Sequence, residues 1–265
     1  MVNKFYFSAV LFVISALVFW PSRVSAQTTR GDFNYDGATS ISDLTFLIDY
    51  LLTGQWNEEP IGLQRDTVTV NGEPFVMVHV DGGSYSPSEG VTVTVGDFSI
   101  GKTEVTQQLW KAVMGGNPNY PASTKLYPMK SVSWNECQEF IVKLNELTGL
   151  SFRLPRSVEW EFAARGGNHS GGYVYAGSNN ADMVAHYGGI SNEQNVAILT
   201  CNELGLYDMS GNVNEWCDDV GSNGSQSRVV RGGNYKNPAS QCLISWQSQF
   251  SAGSSNALTG LCLAM

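Results

Sequence analysis

The sequence predicts an α+β fold with few helices, short strands and much ordered loop, preceded by a small acidic loop-and-helix repeat. Three observations lead there. Strand patterns dominate from Asp66 onward, a few capped amphipathic helices occupy the middle, and beyond Gly167 the chain has almost no helical period. The 28 glycines agree, because glycine supplies the positive-φ positions that tight turns and long loops require. Hydrophobic residues make up 42% and charged residues 15%, which suits a globular protein with substantial irregular backbone. At 265 residues there is room for one large domain or two of unequal size.

Residues 1–26 stand outside the fold. Lys4 precedes an apolar run from Phe5 to Trp20, Pro21 breaks it, and Val24-Ser25-Ala26 offers the small residues of a cleavage site. The run is shorter than the roughly 20 residues that span a bilayer. A cleaved signal peptide is the better reading, with an uncleaved anchor as the alternative. The expected product is exported: periplasmic, cell-surface or secreted, with no stable membrane span. Without Lys4 and Arg23, 13 basic residues face 24 acidic ones, a net charge near −11. That surface repels phosphate backbones, so nucleic acid is not an expected partner. It suits calcium. The five cysteines are odd in number and form no CxxC pair. His79, His169 and His186 are scattered, so zinc is not expected, and each reads as a surface or satisfied polar side chain.

The first ordered element, within residues 27–52, is GDFNYDGATSISDLTFLIDYLL. Counting Asp32 as position 1 places Asn34 at 3, Asp36 at 5, Gly37 at 6, Ser40 at 9 and Asp43 at 12. Short acidic and amide side chains at alternate positions wrap oxygens around one hard cation, and Ala38 would add a backbone carbonyl. Leu44, Leu47, Ile48 and Leu51 then share one stripe of a helix. The pattern resembles a single dockerin repeat of EF-hand type; a polar turn capping a helix is the alternative. Dockerins usually carry two repeats, so a small calcium-stabilised module is the expectation. Residues 53–64 read as a linker.

The main domain covers residues 65–265. DTVTVNGEPFVMVHV places two β-branched runs around Asn71-Gly72, which favours a type I′ hairpin. VTVTVGDFSIGKTEV alternates across a further strand region. Thr106 is placed to cap a helix ending before Gly115, and Ser133 with Glu136 forms a capping box for a helix ending near Gly149. Ser157 is placed to cap VEWEFAAR, which stops at Gly166-Gly167.

These segments resemble the formylglycine-generating enzyme, or sulfatase-modifying factor, family. The resemblance runs through VGDFSIGKTEVTQQLW, YPMKSVSWNECQEF, RLPRSVEWEFAARGG, NELGLYDMSGNVNEWCDD and VVRGGNY, in the family's order. It implies a compact fold related to C-type-lectin-like domains, with bound calcium. It further implies a metal site with carboxylates from Asp208 and Glu215 and carbonyls from Gly211 and Val213.

Active members of the family oxidise a cysteine in a Cys-x-Pro-x-Arg segment of a sulfatase to formylglycine, with copper held by two cysteines five residues apart. Counted from Gly232-Gly233, the second position here is Cys242 and the first is Asn237. A thiolate with a neutral amide is a poor site for monovalent copper. Arginines common after the second cysteine are replaced by Leu243, Gln247 and Cys262. Cys242 therefore reads as a partly buried or disulfide-bonded residue rather than a catalyst.

The expected function is a non-catalytic binding or display scaffold for an unknown protein or glycan ligand. Its surface would run from Asn234 to Thr259, with Asn234, Tyr235, Asn237, Trp246, Gln247, Gln249 and Phe250 as contact residues. That stretch, with its GLCLAM tail, resembles the variable region of proteins diversified by retroelements; an ordinary surface loop is the alternative. Two other functions stand beside it: the copper oxidase that matures sulfatases, and an accessory protein attached through the calcium repeat to an extracellular assembly.

Overall fold

The computed structural model describes residues 63–116 and 126–265. The leader, the acidic repeat and nearly all of the linker lie outside the described residues.

Strands β1 (Arg65–Val70) and β2 (Glu73–Val80) form the expected antiparallel hairpin. Asn71 and Gly72 both take positive φ, 48° and 83°, as a type I′ turn requires. The next strands were less legible. β3 (Gly83–Ser88) pairs with β4 (Val91–Val95), while β5 (Phe98–Gly101) pairs with β2. What the sequence suggests as one strand region therefore divides between two sheets. The break falls at Gly96-Asp97, where Asp97 turns its carboxylate back to accept the Gly82 N–H at 2.7 Å.

Helix α1 (Gln107–Met114) starts where Thr106 Oγ1 accepts the Leu109 N–H and ends at Gly115, with φ 85°. Helix α2 (Trp134–Thr148) has the expected Ser133–Glu136 capping box and ends at Gly149, with φ 71°. Both lay their apolar stripes over one core, in which Trp110 stacks on Phe140 with ring centroids 4.7 Å apart.

Helix α3 (Ser157–Ala164) differs in kind, because seven of its eight residues are buried. A helix buried on every side belongs to a domain centre rather than to its surface. Trp160 and Phe162 anchor the second core there. The cap is Arg156 rather than Ser157, because Glu159 accepts the Arg156 N–H at 2.8 Å. Ser157 is already helical and donates its N–H to Asp219.

Beyond Gly167 the chain is loop-rich, as expected, but it also builds a sheet that the sequence pattern hid. A short helix α4 (Ala181–Val184) leads into β6 (Ala185–His186), which runs parallel to β7 (Ser210–Gly211). Strands β8 (Asn214–Val220), β9 (Ser227–Arg231), β10 (Gln247–Ser251) and β11 (Thr259–Gly260) form a sheet in the order β10-β9-β8-β11.

The last residues then cross to the first sheet. Gly101 N donates to Leu263 O at 2.8 Å and Val105 N to Leu261 O at 2.9 Å. Leu261 and Leu263 are buried there, each worth about 1.5–3 kcal/mol. The carboxy terminus thus joins the two ends of the domain. No helix among the described residues is long and apolar enough to cross a membrane.

Candidate functional site

Three carboxylates are buried in the interior, near enough for Asp208 and Glu215 to raise Glu104. Glu104 follows β5, Asp208 precedes β7, and Glu215 lies on β8; they are 1%, 6% and 1% exposed. No arginine or lysine among the described residues pairs with any of them, and their hydrogen-bond partners are neutral. Glu104 accepts the Val213 N–H at 3.0 Å and the Asn212 side-chain amide at 2.7 Å. Asp208 accepts the Ala197 N–H at 2.8 Å, and Glu215 Oε2 accepts the Trp160 indole N–H at 2.5 Å. Glu215 Oε1 has no hydrogen-bond partner at all.

This environment disfavours negative charge. Burial pushes Asp208 up to about 6, against the lowering effect of the Ala197 N–H. Burial pushes Glu215 up to about 8, with the Trp160 bond opposing and the Asp208 charge adding to it. Glu104 is raised well above the carboxylate range by burial first, then by Asp208 and Glu215. A cation supplied from solution would remove all three penalties at once.

The backbone here packs closely against β6. Asp208, Gly211 and Asn212 all have positive φ, at 59°, 83° and 56°. Gly211 has no room for a side chain, since a Cβ would lie 2.3 Å from His186 O. Among the described residues no three acidic, histidine or cysteine side chains form a metal cage by themselves. The orphaned carboxylate oxygen and the oxygen-only donor set suit a hard cation. Asp208 and Glu215, with the Gly211 and Val213 carbonyls, are the residues that could hold it.

The Asn237–Cys242 loop is built differently. The Asn237 side-chain oxygen accepts the Asn234 N–H at 2.9 Å, and its amide donates to Gln241. Both of its polar atoms thereby stabilise their own turn. Cys242 is fully buried among Ala181, Ala185 and Tyr187. It is a free thiol, not half of a disulfide, and is more buried than expected. Burial pushes it up to about 12, against a lowering bond from the Asn234 backbone. A reactive thiol needs the opposite: partial exposure and a depressed pKa.

Two of the expected contact residues are not at the surface. Asn234 and Tyr235 are buried. Asn234 caps its own turn by accepting the Lys236 N–H at 2.9 Å, and Tyr235 lies beneath the ammonium groups of Lys130 and Lys236. Gln249 ties down the β8–β9 loop by accepting from Asn223 N and Ser227 Oγ and donating to Ser222 Oγ. Phe250 packs edge-on against Trp216. Trp246 is half-exposed and Gln247 exposed. Gln247 lines an open groove of about 410 Å³, with Tyr85, Val93, Val158, Asp219 and Val229 on its other walls.

A family model described as the sulfatase-modifying factor enzyme 1-like domain matches residues 54–265. The chain belongs to that family. The chaperone protein LppX of Paenibacillus barcinonensis is 32% identical over 237 residues, spanning 66% of this chain and 84% of that protein. The formylglycine-generating enzyme of Mus musculus is 28% identical over 168 residues, or 50% of this chain; the match spans only 44% of the mouse protein. Among solved structures, Treponema denticola variable protein 1 superposes with a TM-score of 0.67 at 28% identity, over 76% of this chain and 98% of that one. CarF shares the fold, with a TM-score of 0.62 at 24% identity, over 72% and 98% of the two chains.

Within this sulfatase-modifying factor domain, three polar residues escaped the sequence reading. Glu104 sits in a strand-to-helix junction with nothing acidic beside it. Asn212 reads as one more turn residue, yet it donates to Glu104 and accepts the Gln194 N–H at 2.9 Å. His186 was expected to be a surface or satisfied side chain, yet its Nε2 is buried without a partner. Burial lowers its pKa. The contiguous motif DMSGNVNEW was the available sequence signal, and it contains Asn212 but not Glu104.

Proposed function

We propose that this protein is a non-catalytic, ligand-binding scaffold of the sulfatase-modifying factor family. The carrying observation is the state of the Asn237–Cys242 loop. One position of the family's copper pair is an amide engaged in its own turn, and the other is a buried thiol whose deprotonation is strongly disfavoured. Relatives named as a chaperone protein and a variable protein support a scaffold reading. The ligand, a protein or glycan, would meet the surface around Trp246 and Gln247.

Calcium is the ion we assign to the Asp208–Glu215 segment, where oxygen donors and unneutralised buried carboxylates favour it. The loop at residues 32–43 is the second calcium position. Its donors are Asp32, Asn34, Asp36, Ala38, Ser40 and Asp43, and the leader before it supports export. When bound, the ion would supply charge neutralisation and rigidity rather than chemistry.

The test is mass spectrometry of a Cys-x-Pro-x-Arg peptide incubated with the protein, monovalent copper, reductant and oxygen. The peptide should emerge unchanged beside an active homologue that converts it. Formation of the aldehyde, lost in a Cys242→Ser variant, would make the protein a copper oxidase and overturn the scaffold reading.

A further inference from the structure

The cation reading of the Asp208–Glu215 segment leaves Glu104 without an assigned role. This residue lies in the junction between β5 and α1. Its neighbour Val105 donates to Leu261 O at 2.9 Å, and Thr106 caps α1. Across 108 residues of sequence, Glu104 Oε2 reaches the Asn212 amide. Its other oxygen takes the Val213 N–H. Asn212 and Val213 lie between Gly211 and Glu215, inside the segment whose oxygens would ligate the ion.

Asp208, Gly211 and Asn212 hold left-handed backbone there, a conformation that Gly, Asn and Asp adopt more readily than other residues. Gln194 and His186 also hold Asn212 from outside the segment, but Glu104 is the charged group that bonds both Asn212 and Val213. The orphaned Oε1 of Glu215, 1% exposed, is the independent sign that a ligand belongs in this acidic centre.

We propose that Glu104 is the positioning residue of this cation site. It clamps Asn212 and Val213 so that the Asp208 and Glu215 carboxylates and the Gly211 and Val213 carbonyls can face one ion. It also contributes a third negative charge beside that ion. A divalent cation balances two of the three charges, and the Asn212 amide and Val213 N–H stabilise the third. Ion occupancy is thereby linked to the start of α1 and, through Val105 and Leu261, to the carboxy-terminal tail. The inference rests on the cation reading, but the experiment separates the two.

The experiment is calorimetric titration of calcium into the chelator-stripped full chain, carrying Asp32→Asn and Asp36→Asn to silence the amino-terminal loop. The parent should bind one calcium. Glu104→Gln keeps the shape but sets an amide N–H against either Asn212 or Val213, both of which donate. It should weaken calcium about 10- to 100-fold, the usual effect of removing a ligand's hydrogen-bonding support. Asn212→Ala should weaken it similarly, and the double variant no further than the worse single. Unchanged calcium affinity in a folded Glu104→Gln protein, with only a lowered melting temperature, would reduce Glu104 to a structural residue and overturn the proposal. A parent that binds no calcium would instead overturn the cation reading, and Glu104's role with it. Should Glu104→Gln fail to fold, Glu104→Asp, which shortens the clamp but keeps its charge, is read by the same criterion.

Discussion

Two groups of buried carboxylates lie in this domain, and the chain treats them in opposite ways. On α3, Glu159 receives two hydrogen bonds from Arg153, at 2.6 and 2.9 Å, and one from Arg156 at 2.8 Å. Glu161 is held between Arg165 at 2.6 Å and Arg231 at 2.9 Å. In the other group, Glu104, Asp208 and Glu215 accept only from neutral donors among the described residues. Burial alone would raise Glu159, but its arginine bonds and the Arg156 N–H outweigh burial and leave it below the ordinary carboxylate value. The second group stays raised. One set is neutralised by arginines of the chain, and the other has only neutral donors among the described residues, which is the basis of the proposed cation site.

The sharpest way to break this contrast is to remove an internal cation. Arg231→Met should cost about 3–5 kcal/mol in urea unfolding, because Glu161 then loses its buried partner. A loss below about 1 kcal/mol would mean that Arg165 alone completes the α3 group.

The next effect is the external cation itself. Calcium at about 100 times its dissociation constant should stabilise the fold by about 2.7 kcal/mol. For a domain of this size that raises the melting temperature by roughly 5–10 °C, reversibly with chelator. Equal stability with and without calcium would erase the distinction between the groups.

A smaller effect separates them by pH. Glu159 has a folded pKa below its ordinary 4.5, so its contribution is fully present above that value. It is lost as pH falls through the folded value. Arg153→Met should therefore destabilise by about 1.5 kcal/mol near neutral pH, with the gap from the parent narrowing below pH 4.5. A gap that stayed constant into acid would show that Arg153 acts through packing instead. Least disruptive of all, Gln247→Ala on the exposed edge should change stability by less than about 0.5 kcal/mol. A larger loss would make Gln247 part of the frame, like Gln249, rather than of the groove.

Local signals carried much of the fold. Asn71-Gly72, Thr106, and Ser133 with Glu136 each act within a few residues, so the first hairpin and the starts of α1 and α2 could be read directly. The α+β class and the loop-rich second half were legible for the same reason, and the ordered motifs were enough to suggest the family. The sheet of β8 to β11 was not. Its strands are short and mostly lack alternation, because the residues from Asn214 to Cys217 are buried consecutively and β11 is two residues long. Near the site, DMSGNVNEW pointed to Asp208, Gly211, Val213 and Glu215, while the surface expected at Asn234 and Tyr235 proved to be interior.

By itself, the sequence determined the turns, the helix caps, the class and the family, because each depends on neighbours along the chain or on motifs written contiguously. Only the tertiary structure decided which acids are neutralised. Arg231 reaches Glu161 across 70 residues and Glu104 reaches Asn212 across 108. Charge balance in a buried site depends on distances in space, and no local pattern records them. The same holds for Cys242: the sequence left it partly buried or disulfide-bonded, and the tertiary structure makes it a fully buried free thiol among alanines and Tyr187.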